Sequence, residues 1–403
     1  MKIIFANNFF YLRGGSERVV FDEMSMFEQK GHKVFPFSRH FEDNVFSVYS
    51  KYFAPCIKYN EVSFIKKILS TFKLIYSFKT KKIFSNYINQ YKPDLVHAHN
   101  IYGRLTSSII DSAKQSRVPV VMTLHDYKFI CPSYLMIANG KTCEKCFGNK
   151  YYYCLISKCH KEKFVPSFIY TIESYFNYYL KKYNWIKYFI SPSKFLQKKF
   201  IEAGFSEKKL IYIPNFIDIR KYKPHYDHKN YMLFVGRFSI EKGIITLLKA
   251  ISDIDMPIKF VGDGPMKKEL KTFIRENNIL NVTFEGYKTG DELKSIFKNS
   301  TFLIFPSEWY ENAPMTILEA FSYGKPVIGS KIGGIPEMVK DEVTGLLFRH
   351  GDYEDLKDKI KYLLSNPSII VKMGKKSRNL VETKFNADRH YESLIQLYKI
   401  SLE

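Results

Sequence analysis

Two cations, two carboxylates and a group of thiols are the residues of this sequence best placed to do chemistry. Arg237 and Lys242 lie in VGRFSIEKG (235–243), between an apolar run ending at Val235 and a helical pattern that follows Gly243. Fixed cations beyond the carboxyl end of a strand suit a diphosphate, whose charge grows as it departs from carbon. A solvated basic loop is the plainer alternative, and the segment 306–337, PSEWYENAPMTILEAFSYGKPVIGSKIGGIPE, argues against it. Pro314 fits the first position of a helix running through Glu319 to about Tyr323. The amides of Asn312, Ala313, Met315 and Thr316 then meet an anion at the helix N-terminus. Glu311 precedes that helix and Glu319 lies a turn and a half inside it. The two acids bracket the anion site, where each can bind hydroxyls of a different sugar ring.

The thiols are Cys143, Cys146, Cys154 and Cys159, spaced C-x2-C-x7-C-x4-C, with Cys131 upstream. The opening MKIIFANNFFYLRGG lacks the long apolar core and small-residue cleavage site of a signal peptide. The expectation is a cytoplasmic protein, where thiols stay reduced. Four thiols with one C-x2-C suit a closed, structural zinc site, with Cys131 or His160 able to replace a ligand. Free reduced thiols are the alternative.

The elements that position these groups follow from the apolar runs. At 403 residues the chain calls for two domains. KIIFAN, HKVFPFS, PDLVHAH, VPVVMTLH, IKYFISPS and LIYIPN read as strands of one parallel sheet, alternating with helical segments. After the polar stretch DIRKYKPHYDHKN a second series begins: YMLFVGR, IKFVGDG, VTFEG, TFLIFPS, KPVIGS and TGLLF. The fold class is α/β, with two Rossmann-like, doubly wound domains facing across a cleft and hinged near 217–230. Ligands of such sheets bind beyond the carboxyl ends of the strands. The expected division is 1–216 with a Cys-rich insertion at 127–165, then 217–385. A last helix, 386–403, is expected to cross back to the first domain.

The formal charge of +22 favours anionic partners. Residues 58–92 hold eight lysines against one acid, Glu61. Between them Phe64, Ile65, Ile68, Leu69, Phe72, Ile75 and Tyr76 recur near helical spacing. A helix of this kind lies on an anionic bilayer, or packs its apolar face on its own core.

The E-x7-E pair Glu311/Glu319, the GR…EKG loop, VGDGP (261–265), GKPVIGSKIGGIPE and TGLLF together resemble the retaining, nucleotide-sugar-dependent glycosyltransferases of family 4, the group 1 enzymes with the GT-B fold. GGSERV (14–19), PDLVHAHN (93–100), TLHD (123–126), SPSKF (191–195) and IPNFID (213–218) fit the same pattern. The resemblance covers nearly the whole chain. It implies that Arg237 and Lys242 hold the donor diphosphate in place of a metal ion. Glu319 is implied to bind the ribose and Glu311 the transferred sugar. The amides after Glu311 and those of Gly14 and Gly15 are implied to cradle phosphate and sugar. His125 is implied to face the donor sugar, and Gly262 and Gly264 to let backbone approach the nucleotide. One departure is Phe216 in IPNFID, where glycine commonly follows the asparagine.

The implied reaction is front-face: the acceptor hydroxyl attacks the anomeric carbon while the leaving diphosphate takes its proton. The implied partners are a nucleotide-diphosphate sugar and a lipid-linked or oligosaccharide acceptor of a surface glycan such as capsule, exopolysaccharide or lipopolysaccharide. An anionic membrane surface is expected to meet residues 58–92, giving a peripheral protein on the inner face of the cell membrane. No catalytic metal and no nucleic acid are expected. The competing readings are a nucleotide-sugar epimerase or phosphorylase of the same architecture, and a zinc-bearing nucleic-acid binder that would leave the motifs around Glu311 unexplained.

Overall fold

The computed structural model describes residues 1–56 and 72–403. The first part of the basic segment 58–92 therefore lies outside the described residues. The chain divides into two compact units, Met1–Pro214 with Tyr391–Glu403, and Asn215–His390.

In the first unit six parallel strands form one sheet: β1 (Lys2–Ala6), β2 (Lys33–Phe37), β3 (Leu95–Ala98), β4 (Val120–Thr123), β7 (Ile186–Ser191) and β8 (Leu210–Tyr212), in the order β2-β1-β3-β4-β7-β8. Residues 2–6, KIIFA, and 120–123, VVMT, carry apolar side chains at successive positions. A strand covered on both faces requires that pattern, and a half-wet strand would alternate. Ile3, Ile4, Leu95, Val96, Val120 and Val121 are accordingly buried. The strands are joined through α1 (Gly15–Gln29), α2 (Phe78–Tyr91), α3 (Ser108–Gln115) and α6 (Lys194–Glu202). The insertion after β4 holds a two-stranded hairpin, β5 (Ile137–Ala138) with β6 (Lys141–Thr142), then α4 (Tyr152–Ile156) and α5 (Phe164–Tyr179).

The second unit repeats the plan with β9 (Met232–Val235), β10 (Ile258–Val261), β11 (Val282–Gly286), β12 (Leu303–Phe305), β13 (Val327–Ser330) and β14 (Gly345–Phe348), in the order β11-β10-β9-β12-β13-β14. Counted within the unit that order is 3-2-1-4-5-6, and the direction of winding reverses between β9 and β12. The loops after those two strands are the ones that carry Lys242 and Glu311. Helices α7 (Ile244–Ala250), α8 (Lys267–Glu276), α9 (Gly290–Asn299), α10 (Met315–Ser322), α11 (Ile335–Met338), α12 (Tyr353–Ser365) and α13 (Pro367–Thr383) cover the sheet. Its core gathers Phe234, Phe260, Ile304, Ile328, Phe348 and Leu356.

The stretch expected as a hinge, 217–230, belongs to the second unit. His225 N donates to Tyr323 O at 3.0 Å, and Arg378 Nη1 donates to Tyr222 O at 3.0 Å. Phe216, the departure from the glycine pattern, is buried and stacks on His390 with ring centroids 4.3 Å apart. Its ring thus does packing work that a glycine could not. The last helix, α14 (Ala387–Leu402), begins in the second unit and ends in the first, where Tyr398 stacks on Phe27 at 5.2 Å.

Candidate active site

In the second unit the loop after β9 and the loop after β12 lock together through their backbones. Glu308 N donates to Glu241 O at 2.9 Å, and Ser307 Oγ donates to the same oxygen at 3.2 Å. Gly243 has φ +64, and a Cβ there would stand 1.9 Å from Pro306 O. Only glycine fits both the left-handed backbone and that contact. Locked in this way, Lys242 Nζ meets Glu311 Oε1 at 2.5 Å, and Ser307 Oγ donates to the same Oε1 at 2.8 Å. Both donors converge on one oxygen of a buried carboxylate, so Oε2 is left for another partner. Arg237, on the same loop, is exposed and makes no ion pair among the described residues. It is available to an anion.

Glu311 is also held from behind. Gly334 N donates to Glu311 O at 2.7 Å, and Gly333 packs against that residue with φ +60. Asn215 Nδ2 donates to Ala313 O at 2.9 Å and fixes the approach to α10. Pro314 is the N-cap with extended backbone (φ −67°, ψ 120°) and Met315 is the first helical residue, one position later than the spacing predicts. Pro314 still suits the place, because a cap residue needs no amide hydrogen there. The amides of Met315 and Thr316 precede any intrahelical acceptor, so the positive end of α10 opens beside Asn312 and Glu311. Glu319 is buried within α10.

Gly262 and Gly264 lie against the loop that carries Arg237. A Cβ on Gly262 would stand 1.9 Å from Gly236 O, and one on Gly264 would stand 2.3 Å from Phe238 O. The space a side chain would fill is taken by the backbone of the GRFS loop. These glycines therefore position the loop that carries Arg237.

In the first unit Gly14 caps α1 with extended backbone, and Gly15 opens the helix. His125 follows β4 and stands beside a buried group that sequence spacing does not reveal. His125 Nε2 is 2.9 Å from His99 Nδ1, and His99 Nε2 is 3.4 Å from Glu23 Oε2. His97 Nδ1 is also 3.4 Å from that oxygen, and Tyr398 OH lies 2.6 Å from the same nitrogen. One ring of the His99–His125 pair donates to the other. Burial lowers the His125 pKa to about 4, so the ring is neutral at pH 7. Burial raises the pKa of its neighbour Asp126 to about 6, against hydrogen bonds from Tyr102 OH and Lys128 N. The signal for this group was the PDLVHAH run, whose two histidines fall on one strand end.

Glu23, His97 and His99 are also the one group among the described residues whose ligand atoms all lie within 4.8 Å of one another. The cysteines are gathered without reaching that geometry. Cys146 and Cys154 pack with Tyr151 in one apolar cluster, and Cys159 adjoins it. Burial, followed by the nearby Cys131, Cys159 and Cys143, pushes the Cys146 thiol well up. A hydrogen bond to Cys154 and then burial do the same for Cys159. Among the described residues no three sulfurs stand within 4.8 Å of one another. Cys146 and Cys154 thus pack as small apolar groups.

Two parallel sheets, each with charged or hydrogen-bonding groups on the loops beyond its strand ends, define the GT-B class. Residues 13–221 match the model described as Glycosyltransferase Family 4, and residues 215–380 match Glycosyl transferases group 1. The chain belongs to glycosyltransferase family 4. An uncharacterized glycosyltransferase of Methanocaldococcus jannaschii is 34% identical over 170 residues, 42% of this chain and 48% of its own. O-antigen chain mannosyltransferase C of Escherichia coli is 30% identical over 176 residues, 43% of this chain and 47% of its own. The chain thus spans about half the length of the curated relatives it matches. The structure of Anabaena HepE with UDP and glucose has a TM-score of 0.69 at 17% identity, covering 99% of each chain, a likeness of fold.

Proposed function

We propose that the protein transfers a sugar from a nucleotide-diphosphate donor, with retention, to a lipid-linked or oligosaccharide acceptor of a surface glycan, working at the inner face of the cell membrane. The observation that carries this reading is the convergence of Lys242 and Ser307 on one oxygen of Glu311, beside the N-terminus of α10. Lys242, the exposed Arg237 and the α10 amides give a departing diphosphate fixed positive charge without a metal ion. Glu311 keeps Oε2 for a sugar hydroxyl, and Glu319 is the partner for ribose. Gly14 and Gly15 offer amides to the donor, and neutral His125 faces the donor sugar. The names of two comparison proteins support the reading: one is an O-antigen chain mannosyltransferase, and the other was solved with UDP and glucose.

Lys242→Ala tests it. Steady-state transfer or donor hydrolysis should fall about 10²–10³-fold with the unfolding midpoint little changed. Near-parental turnover would remove the diphosphate clamp. A structural zinc on Cys143, Cys146, Cys154 and Cys159 forms part of the proposal. It requires the four sulfurs to draw together and lose their protons, with Cys131 or His160 as a substitute ligand. Elemental analysis of the purified chain should find one zinc per molecule, and less than about a tenth of an equivalent would withdraw the site.

A further inference from the structure

Helix α5 is built inside out. Its buried residues are Ser167, Thr171, Glu173, Ser174 and Asn177. Three of these inward polar residues, Glu173, Asn177 and Ser167, have a specific partner on another part of the chain, while Ser174 Oγ has none among the described residues. Glu173 Oε2 stands 2.5 Å from Lys128 Nζ, and Ser107 Oγ donates to Asn177 Oδ1 at 2.6 Å. His160 N donates to Ser167 Oγ at 3.0 Å. These contacts leave no freedom to roll the helix and hide its other face. That face is apolar: Phe164 is 56% exposed, Val165 63%, Phe168 46% and Ile172 39%. Positions 164, 168 and 172 are a helical stripe of i, i+4, i+8. On the preceding α4, Tyr152 and Ile156 are exposed too.

An apolar stripe of this kind on a soluble surface marks a docking face. Its frame identifies the partner. Lys158, Lys161 and Lys163 are exposed before α5 and Lys181 after it, against one acid, Glu162. The face continues into the described end of the basic segment. The Tyr76 ring lies 5.8 Å from Phe176 on α5, and Phe72 and Phe78 on either side of Tyr76 are exposed, as are Lys73 and Lys79. Apolar and aromatic side chains framed by lysines match the boundary of an anionic bilayer, where rings enter the headgroup layer and ammonium groups meet lipid charge. Two copies of the same lysine-framed face would repel each other. No helix of the described residues is long and apolar enough to cross a membrane, so the contact is one of surface attachment.

We propose that the outward face of α4 and α5, joined to Phe72 and Phe78, docks on an anionic lipid bilayer. This deepens the proposed transfer to a lipid-linked acceptor, but it stands on the exposed surface and is read without substrate. The test is flotation of the full chain with phosphatidylcholine vesicles, with and without phosphatidylglycerol. The chain should float with the anionic vesicles and stay behind with the neutral ones. Combined Phe164→Ser, Phe168→Ser and Ile172→Ser should lower the partition at least tenfold, with the melting temperature and donor hydrolysis unchanged. Lys161→Glu with Lys163→Glu should lower it in the same direction, which keeps the test open if the triple variant folds poorly. Unchanged flotation of the folded variants would overturn the proposal. So would equal binding to neutral vesicles, or a parental dimer that the triple variant dissolves to monomer. Flotation that persists in a parent unable to hydrolyse any nucleotide sugar would support the surface and remove the transferase reading instead.

Discussion

The two units place polar groups at the same position in the same kind of sheet and handle charge in opposite ways. Beyond β9 and β12, Lys242 is paired with Glu311, and Arg237 is left exposed. At the ends of β3 and β4, two buried histidines flank one carboxylate, His125 adjoins one of them, and burial holds His125 neutral. In the proposed reading the first set meets a diphosphate, which needs fixed cations, and the second a sugar, which a neutral ring can meet. The comparison teaches that one architecture can present both kinds of group because the loops differ in what locks them. Backbone contact locks the first site, and a chain of ring nitrogens locks the second.

The backbone lock is the easier to break. Gly333→Ala would hold a left-handed φ of +60 with a Cβ 2.4 Å from Glu311 O, so backbone must move. Strain alone costs about 1–2 kcal/mol. A displacement of Glu311 by about an ångström should cost turnover on the order of 100-fold. Gly351→Ala separates the two effects, because Gly351 has φ +76 and nothing within 4 Å of its Cβ. It should lose similar stability in urea unfolding and keep its activity. Equal activity losses in both variants would show that the contact with Glu311 does not matter.

Much of this was legible in the residues, and the reasons differ by element. The central strands of the two sheets appear where an apolar run stands between turn residues, because a strand buried on both faces must be apolar throughout, whereas the edge strand β11, VTFEG, has no buried residue. Glu311 and the start of α10 were readable from Pro314 and the spacing of the acids. The pairing of Lys242 with Glu311 was not, since 69 positions separate them and only the neighbouring of β9 and β12 brings their loops together. The use of Gly262 and Gly264 was hidden for the same reason: a glycine shows that space is needed but not what fills it. The inward face of helix α5 was not legible, because Glu173 and Asn177 are the residues that face inward. The partners that draw them in, Lys128 and Ser107, lie in other loops.

The hydrogen-bonded lock of the first unit makes the smallest prediction, and its sign is definite. His125 has a folded pKa of about 4, and buried His160 likewise, against an ordinary value of 6.5. As pH falls below 6.5 the unfolded chain takes these protons first, so stability present at neutral pH is lost progressively down to about 4. Asp126 works the other way. Its folded pKa of about 6 lies above the ordinary 3.8, so the folded chain takes that proton first and gains stability as pH falls through 6. Two histidines outweigh one aspartate, and unfolding free energy should decline by on the order of 1–3 kcal/mol between pH 7 and 5. His125→Asn should flatten that decline, because an amide can occupy the site without taking a proton. Asp126→Asn should steepen it by removing the opposing group. Urea unfolding at pH 7, 6 and 5 reads both slopes. A His125→Asn slope equal to the parent's would mean that His125 is not held neutral by its surroundings, and the contrast between a charged and an uncharged strand end would lose its second half.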